Sequence, residues 1–136
     1  MILYGKFNKQ QIMAIYYFAN RLLSKQILRN VEIRVSFKKN LGFAHGMVLV
    51  EDYNLSNKPR SFIIEINKND CAEEILKTLA HEMVHIKQYV KGELDEGQTV
   101  WRGQKIESEL EYDEQPWEIE AYDLGDKLYD EFILSR

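Results

Sequence analysis

Two histidines and a glutamate occur within five consecutive residues, His-Glu-Met-Val-His at positions 81 to 85. If this segment is helical, His81 and His85 lie one turn apart on the same face, where both imidazoles can bind one zinc ion. Glu82 lies about 100° around the helix from His81, so its carboxylate can take a proton from an activated water without being a ligand. The spacing therefore predicts a catalytic zinc site, with His81 and His85 as ligands and Glu82 as the general base. The alternative interpretation makes both histidines ordinary residues of a surface helix.

A catalytic zinc ion usually takes three protein ligands, and water holds the remaining coordination position. The third histidine of the chain, His45, stands beside Gly46, which favours a structural or solvent-facing role over a ligand role. The expected third ligand is a carboxylate on a later helix, and residues 116–121 offer Glu118 and Glu120. These two side chains point about 200° apart on a helix, so at most one of them can face the zinc.

In this segment the chain resembles the gluzincin metallopeptidases, in which a glutamate on a downstream helix completes a His-His-Glu site. In several of those families the ligand stands three residues before a small residue, as Glu-x-x-Ala, and Glu118 with Ala121 matches that pattern. The resemblance implies Glu118 as the third ligand, Glu120 as the reserve candidate, Zn²⁺ as the cofactor, and a peptide or protein as the substrate.

The resemblance in motif covers residues 81–88 and 116–121, and the remainder of the chain matches in architecture alone. Similar short chains occur among SprT-like and phage-encoded metallopeptidases. Many gluzincins have an aspartate directly after the alanine, where this chain has Tyr122, with Asp123 one place later. This departure concerns the residue that would support the histidines from behind.

Two other functions compete with a peptidase. A non-catalytic zinc-binding interaction module would keep the metal, but it has no need of Glu82. A DNA-associated, SprT-like protease is the second, because residues 1–68 carry eleven Lys and Arg against four Asp and Glu. Residues 107–136 carry two basic and eleven acidic residues, and the net charge is −4, which disfavours a nucleic-acid partner. Attraction between the two halves, or simple solvation of both, is the more ordinary explanation.

A peptidase also needs a group that stabilises the developing oxyanion, and a surface that binds the substrate backbone. The sequence offers Tyr112, Tyr122 and Arg102 for the first task, and spacing does not choose among them. For the second, the predicted strand at residues 60–67 would bind an extended peptide if it formed an edge of the sheet.

Length and composition predict one domain spanning residues 1–136, of ordinary globular character. Hydrophobic residues make up 45% and charged residues 29% of the chain. No apolar run approaches the ~20 residues that cross a bilayer, and the N-terminus lacks the pattern of a secretion signal. Cys71 is the single cysteine, so no internal disulfide can form. These features predict a cytoplasmic protein without membrane association.

The motif segment has the apolar spacing of a core helix. Apolar residues recur at helical intervals from Ala72 to Val90, and Gly92 stands where a left-handed residue commonly ends a helix. Asp70 is the expected N-cap, with Glu73 as its capping-box partner. The histidines lie to one side of the apolar stripe, so we expect rigid support behind them and a cleft in front.

The remaining elements predict an α+β, zincin-like fold, in which short loops between the strands favour a small, mainly antiparallel, three-stranded sheet. Besides the motif helix, the expected elements are an N-terminal helix from Asn8 to about Leu28, strands at residues 31–37, 43–51 and 60–67, and a C-terminal glutamate helix. Pro116 begins this last helix, and Gly125 permits it to pack closely against the motif helix.

Overall fold

The computed structural model describes residues 1–42, 44–51, 58–106 and 109–136. These residues form an α+β structure, as predicted, in which two helices follow the first strand and three consecutive strands precede the motif helix. Its elements are β1 (Ile2–Tyr4), α1 (Lys9–Leu22), α2 (Lys25–Leu28), β2 (Glu32–Lys38), β3 (Gly46–Val50), β4 (Ser61–Asn67), α3 (Ala72–Val90), β5 (Val100–Trp101), β6 (Gln104–Lys105), a 3-10 turn (Tyr112–Glu114) and α4 (Pro116–Leu134).

The main sheet has four strands in the order β1-β2-β4-β3, and only the β3–β4 pair is antiparallel. The prediction of a three-stranded, mainly antiparallel sheet is therefore wrong. Two helices separate β1 from β2, and they supply the long crossover that a parallel pair requires. The connection from β2 to β4 passes through β3 at the far edge, so β2 and β4 also run parallel. The three-residue β1 was missed because it is too short to show alternation.

The position of β4 corrects a second expectation. The strand predicted at residues 60–67 lies in the centre of the sheet, between β2 and β3, and so cannot bind a substrate at a free edge. Its side chains Phe62, Ile64 and Ile66 are fully buried, as the alternation predicted. The two edges of the sheet are β1 and β3, and β3 is the edge strand that contacts α3. Phe43, the first residue of the predicted second strand, lies outside the described residues.

The N-terminal helix is divided, where the sequence predicted one continuous helix. Asn8 is its N-cap, as predicted: its Oδ1 accepts a hydrogen bond from the Gln11 backbone N–H at 2.8 Å. α1 ends at Leu22 because Ser24 begins a new helical turn, where its Oγ accepts a hydrogen bond from the Ile27 N–H at 3.2 Å.

The motif helix α3 has no side-chain cap at its N-terminus and ends at a left-handed glycine. Its N-cap is the exposed Cys71 and not Asp70, because the Asp70 carboxylate accepts a hydrogen bond from His45 Nδ1 at 2.8 Å instead of capping the helix. The C-terminus is as predicted, since Gly92 has a φ of 71°. The Glu93 N–H donates to the Gln88 carbonyl at 2.9 Å, which completes a Schellman motif.

α3 forms the centre of the molecule. It lies across β3 and β4 and packs on its other sides against α1 and α4. Its apolar side chains join those of the sheet and of both flanking helices in one buried cluster. This packing supports the histidine row from behind, which is the arrangement that the sequence predicted. Among the described residues, no helix has the length and apolarity needed to span a bilayer.

Candidate metal centre

Three donor atoms converge where α3 meets the first turns of α4. His85 Nε2 lies 3.2 Å from His81 Nε2, and Glu118 Oε1 lies 3.0 Å from each of these nitrogens. Tetrahedral zinc with bonds of ~2.0–2.1 Å holds neighbouring ligand atoms about 3.3 Å apart. The triangle therefore has the size and the donor chemistry of a three-ligand metal site, and these three residues can hold a metal ion.

Burial and charge prepare these residues for a cation. His85 and Glu118 are buried, and His81 is partly buried. Burial alone would raise the pKa of Glu118, but hydrogen bonds from both imidazoles outweigh it and lower this pKa to about 2. Burial would lower the pKa of His85, yet its hydrogen bond to Glu118 and the nearby carboxylates raise it. Glu118 is therefore an anion at neutral pH, surrounded by the two imidazoles with which it can share a metal.

Glu82 lies next to this triangle and is buried without a described hydrogen-bond partner. The residue is only 4% exposed, and no hydrogen bond joins its carboxylate to any residue that the structure describes. Burial raises the pKa of Glu82, while the charges of His85 and His81 partly oppose that rise. The carboxylate borders the same cleft as the histidines. A carboxylate with a raised pKa that borders the cleft is suited to accept and return a proton there.

A cleft of about 500 Å³ opens in front of the donor atoms, between β3 on one side and α3 and α4 on the other. The Tyr112 hydroxyl donates a hydrogen bond to Glu118 Oε1 at 3.0 Å and lies 3.3 Å from the Tyr122 hydroxyl. The Tyr122 ring lies 4.4 Å from the His81 ring, centroid to centroid. Both tyrosines that the sequence offered for oxyanion stabilisation therefore border the metal centre.

The third such candidate lies elsewhere. The Arg102 guanidinium donates to Glu93 Oε2 at 3.1 Å and to Glu120 Oε2 at 2.5 Å. Glu120, the reserve ligand, also accepts hydrogen bonds from Lys87 Nζ and Gln88 Nε2, each at 2.9 Å. It is thus engaged behind the histidines, and of the two carboxylates Glu118 is the one brought to them.

Two further candidates from the sequence, His45 and Asp123, lie outside the donor triangle. His45 does not join the donor triangle: its Nδ1 contacts Asp70, and its Nε2 lies 3.6 Å from Glu74 at the outer part of the cleft. Asp123, considered as a support for the histidines, is exposed on α4. The support comes instead from Gln88, whose Oε1 lies 2.8 Å from His85 Nδ1. Sequence reasoning missed this role, although the three-residue spacing from His85 on one helix face could have indicated it.

Comparison of the chain with protein-family models, curated proteins and solved structures gave no significant match.

Proposed function

We propose that the protein is a zinc-dependent peptidase with a gluzincin-type site. The observation that carries this proposal is the convergence of His81, His85 and Glu118 beside a buried carboxylate that has no described hydrogen-bond partner. The ligands come from two helices that are far apart in sequence, and the cleft lies on the side of the triangle that the two helices leave open.

The donor set favours catalysis over a purely structural metal site. Structural zinc is usually closed by four protein ligands, whereas catalytic zinc keeps one position for water. Here three described residues converge, and Glu82 contributes no donor atom to the group. In a non-catalytic binding module, a buried carboxylate without a partner would only cost stability. A role in proton transfer accounts for a buried carboxylate at this position.

When bound, zinc supplies a Lewis acid that polarises the scissile carbonyl and lowers the pKa of water towards ~7. Glu82 accepts one proton from the attacking water as the water oxygen bonds to the carbonyl carbon. It then donates this proton to the amide nitrogen as the C–N bond breaks, so the products are a carboxylic acid and an amine. The Tyr112 hydroxyl, already at the edge of the triangle, donates a hydrogen bond to the oxygen that gains charge.

Metal analysis of the purified protein tests the ligand assignment. We expect one zinc per chain in the wild type and in Glu120→Ala, and loss of zinc in Glu118→Ala. Glu120→Ala is the comparison, because it removes a carboxylate from the same helix turn without removing a donor atom of the triangle. Since Glu120 contacts Gln88 behind His85, its loss should affect how tightly zinc is held and not whether zinc is bound. Zinc retained by Glu118→Ala and lost from Glu120→Ala would contradict the assignment.

Peptide cleavage tests the chemistry. Fluorogenic peptide libraries and unfolded casein are incubated with the zinc-loaded wild type and with Glu82→Gln. We expect the variant to keep its zinc and lose cleavage by about 10²- to 10⁴-fold. No cleavage in either protein, with zinc bound in both, would refute the peptidase and favour the binding module.

A further inference from the structure

The amide of Gln88 connects both helices of the metal centre. Gln88 is fully buried on α3, three residues after His85. Its Oε1 lies 2.8 Å from His85 Nδ1, and its Nε2 donates to the Trp117 carbonyl and to Glu120 Oε1, both at 2.9 Å. Trp117 directly precedes Glu118, so one side chain contacts one histidine ligand and the backbone next to the carboxylate ligand.

These contacts fix the orientation of the amide. The Trp117 carbonyl can only accept a hydrogen bond, so the NH₂ group of Gln88 must face it and the amide oxygen must face His85. Because an amide oxygen is only an acceptor, the proton of this hydrogen bond belongs to His85 Nδ1. The other ring nitrogen, Nε2, is the one that faces Glu118 and His81. In the neutral imidazole, the lone pair of Nε2 is then available to a metal that takes the place of the hydrogen bond to Glu118.

The far side of the amide is anchored as well. Glu120 Oε1 accepts hydrogen bonds from Gln88 and from Lys87 Nζ, while Glu120 Oε2 is paired with Arg102. Lys87 also lies 2.8 Å from Glu93, through its Nζ and a carboxylate oxygen. The Gln88 amide is thereby held directly by groups on α3 and α4, and Glu120 is held in turn by Arg102 from the segment between these helices. A buried side chain anchored in this way leaves the imidazole of His85 little freedom to rotate.

We infer that Gln88 is a positioning residue of the metal site, which sets the tautomer and ring plane of His85 and ties that ring to the helix turn that carries Glu118. This inference rests on the proposed function, because it assumes that the triangle binds zinc. It assigns to Gln88 no contact with substrate and no part in proton transfer. Its effect is on how tightly and in what geometry zinc is held.

The test measures zinc binding, by competition with a chromophoric chelator, for the wild type and three variants. Gln88→Met keeps the length of the side chain but removes the acceptor, and we expect it to weaken zinc binding by about 10- to 100-fold. Gln88→Glu keeps an acceptor oxygen for His85 Nδ1 but places its second oxygen against the Trp117 carbonyl and the Glu120 carboxylate, so we expect it to recover only part of that loss. Ile33→Ala removes core packing in β2, away from the site, and we expect unchanged zinc binding.

Heteronuclear NMR of the zinc-loaded wild type provides a second readout that does not depend on any variant being folded. We expect the His85 ring to carry its proton on Nδ1 and to bind zinc through Nε2. A zinc-bound His85 without a proton on Nδ1 would overturn the inference. Two affinity results would also overturn it. One is a zinc affinity of Gln88→Met within about threefold of the wild type, far from the expected 10- to 100-fold effect. The other is a loss of zinc affinity in Ile33→Ala equal to that in Gln88→Met.

Neither the zinc affinities nor the NMR measurement depends on peptide cleavage. A protein that binds zinc without cleaving peptides would refute the proposed function, while the zinc affinities would still decide the role of Gln88. A wild type that binds no zinc would overturn both.

Discussion

Gly125 of α4 lies directly against the backbone of His81 on α3. A β-carbon added to Gly125 would stand 3.2 Å from both the Cα and the N of His81. This separation is tighter than an ordinary van der Waals contact, and the neighbouring atoms belong to a helix backbone that cannot move aside alone. The absence of a side chain at Gly125 therefore sets how closely the helix carrying Glu118 approaches the helix carrying the histidines.

Replacing Gly125 by valine tests this approach. Although glycine weakens a helix by about 1 kcal/mol relative to alanine, overpacking costs more, and we expect Gly125→Val to lower the free energy of unfolding by about 1–3 kcal/mol. It should also weaken zinc binding, since the ligand helices are pushed apart. Asp130→Val places the same side chain at an exposed position of α4 and is expected to change stability by less than about 0.5 kcal/mol. Chemical denaturation measures both, and equal effects at the two positions would contradict the packing argument.

Glu82→Gln should stabilise the metal-free protein while it abolishes cleavage. Burial raises the pKa of Glu82 because its ionised form is costly there, and a neutral amide of the same shape does not carry that cost. We expect the free energy of unfolding to rise by about 1–3 kcal/mol. Thermal denaturation in the presence of a chelator checks this, and a loss of stability would mean that Glu82 has a structural role.

Tyr112→Phe separates oxyanion stabilisation from metal binding. The hydroxyl donates to Glu118 Oε1, but it is not among the donor atoms that can hold the metal. If Tyr112 acts on the oxygen that gains charge, its removal should lower kcat by about 10²-fold with the zinc content unchanged. Tyr122→Phe removes the neighbouring hydroxyl and keeps the ring against His81, so it should change kcat far less. An unchanged kcat in Tyr112→Phe would refute the role.

The His45–Asp70 pair should make stability depend on pH. The hydrogen bond to Asp70, opposed in part by burial, raises the pKa of His45 above its usual value. The stabilisation is therefore fully present below the unfolded pKa of about 6.5 and is lost as the pH rises through the folded pKa. Because the His45 side chain is 57% exposed, the effect should not exceed about 1 kcal/mol.

Denaturation of the wild type and of His45→Ala, at about pH 5.5 and about pH 8, measures this contribution, since the two values bracket the usual histidine pKa. The difference between the two proteins should be larger at the lower pH. Asp70→Asn should remove most of the same pH dependence and leave the smaller contribution of Glu74. A difference that grows towards the higher pH would have the wrong sign for this pair.

Chelation should remove cleavage activity and leave the fold intact. The buried apolar cluster extends through the sheet and all three long helices, so folding does not depend on the metal in the way that it does in a zinc finger. Zinc at about 100 times its dissociation constant should then add about 2.7 kcal/mol of stability. Circular dichroism with and without chelator, followed by a thermal scan, tests both statements.

Features that depend on local spacing were predicted from the sequence. The four-residue spacing of His81 and His85 places them one turn apart within a single helix. Pro116 marks the start of α4 and Gly92 the end of α3, each through its own backbone preference. The choice of Glu118 over Glu120 followed from a family resemblance, and the structure brings Glu118 to the histidines.

Features that depend on long-range packing were not predicted. The direction of β4 relative to β2 is decided by where β3 and the helices fit, and alternation within a strand carries no information about that. The role proposed for Gln88 depends on α4, because the Gln88 amide donates to the Trp117 carbonyl of that helix. Asp70 failed as an N-cap because a histidine distant in sequence competes for its carboxylate.

The position of β3 has a consequence for what such an enzyme would accept. Among the residues described, no strand pairs with the outer side of β3, and Gly46, Met47 and Val48 border the cleft. Backbone amides and carbonyls at an open sheet edge can bind an extended main chain through hydrogen bonds that do not involve its side chains. Loosely folded polypeptides would then be cut over many sequences, and a well-packed globule would be spared because none of its segments can be pulled out to lie there.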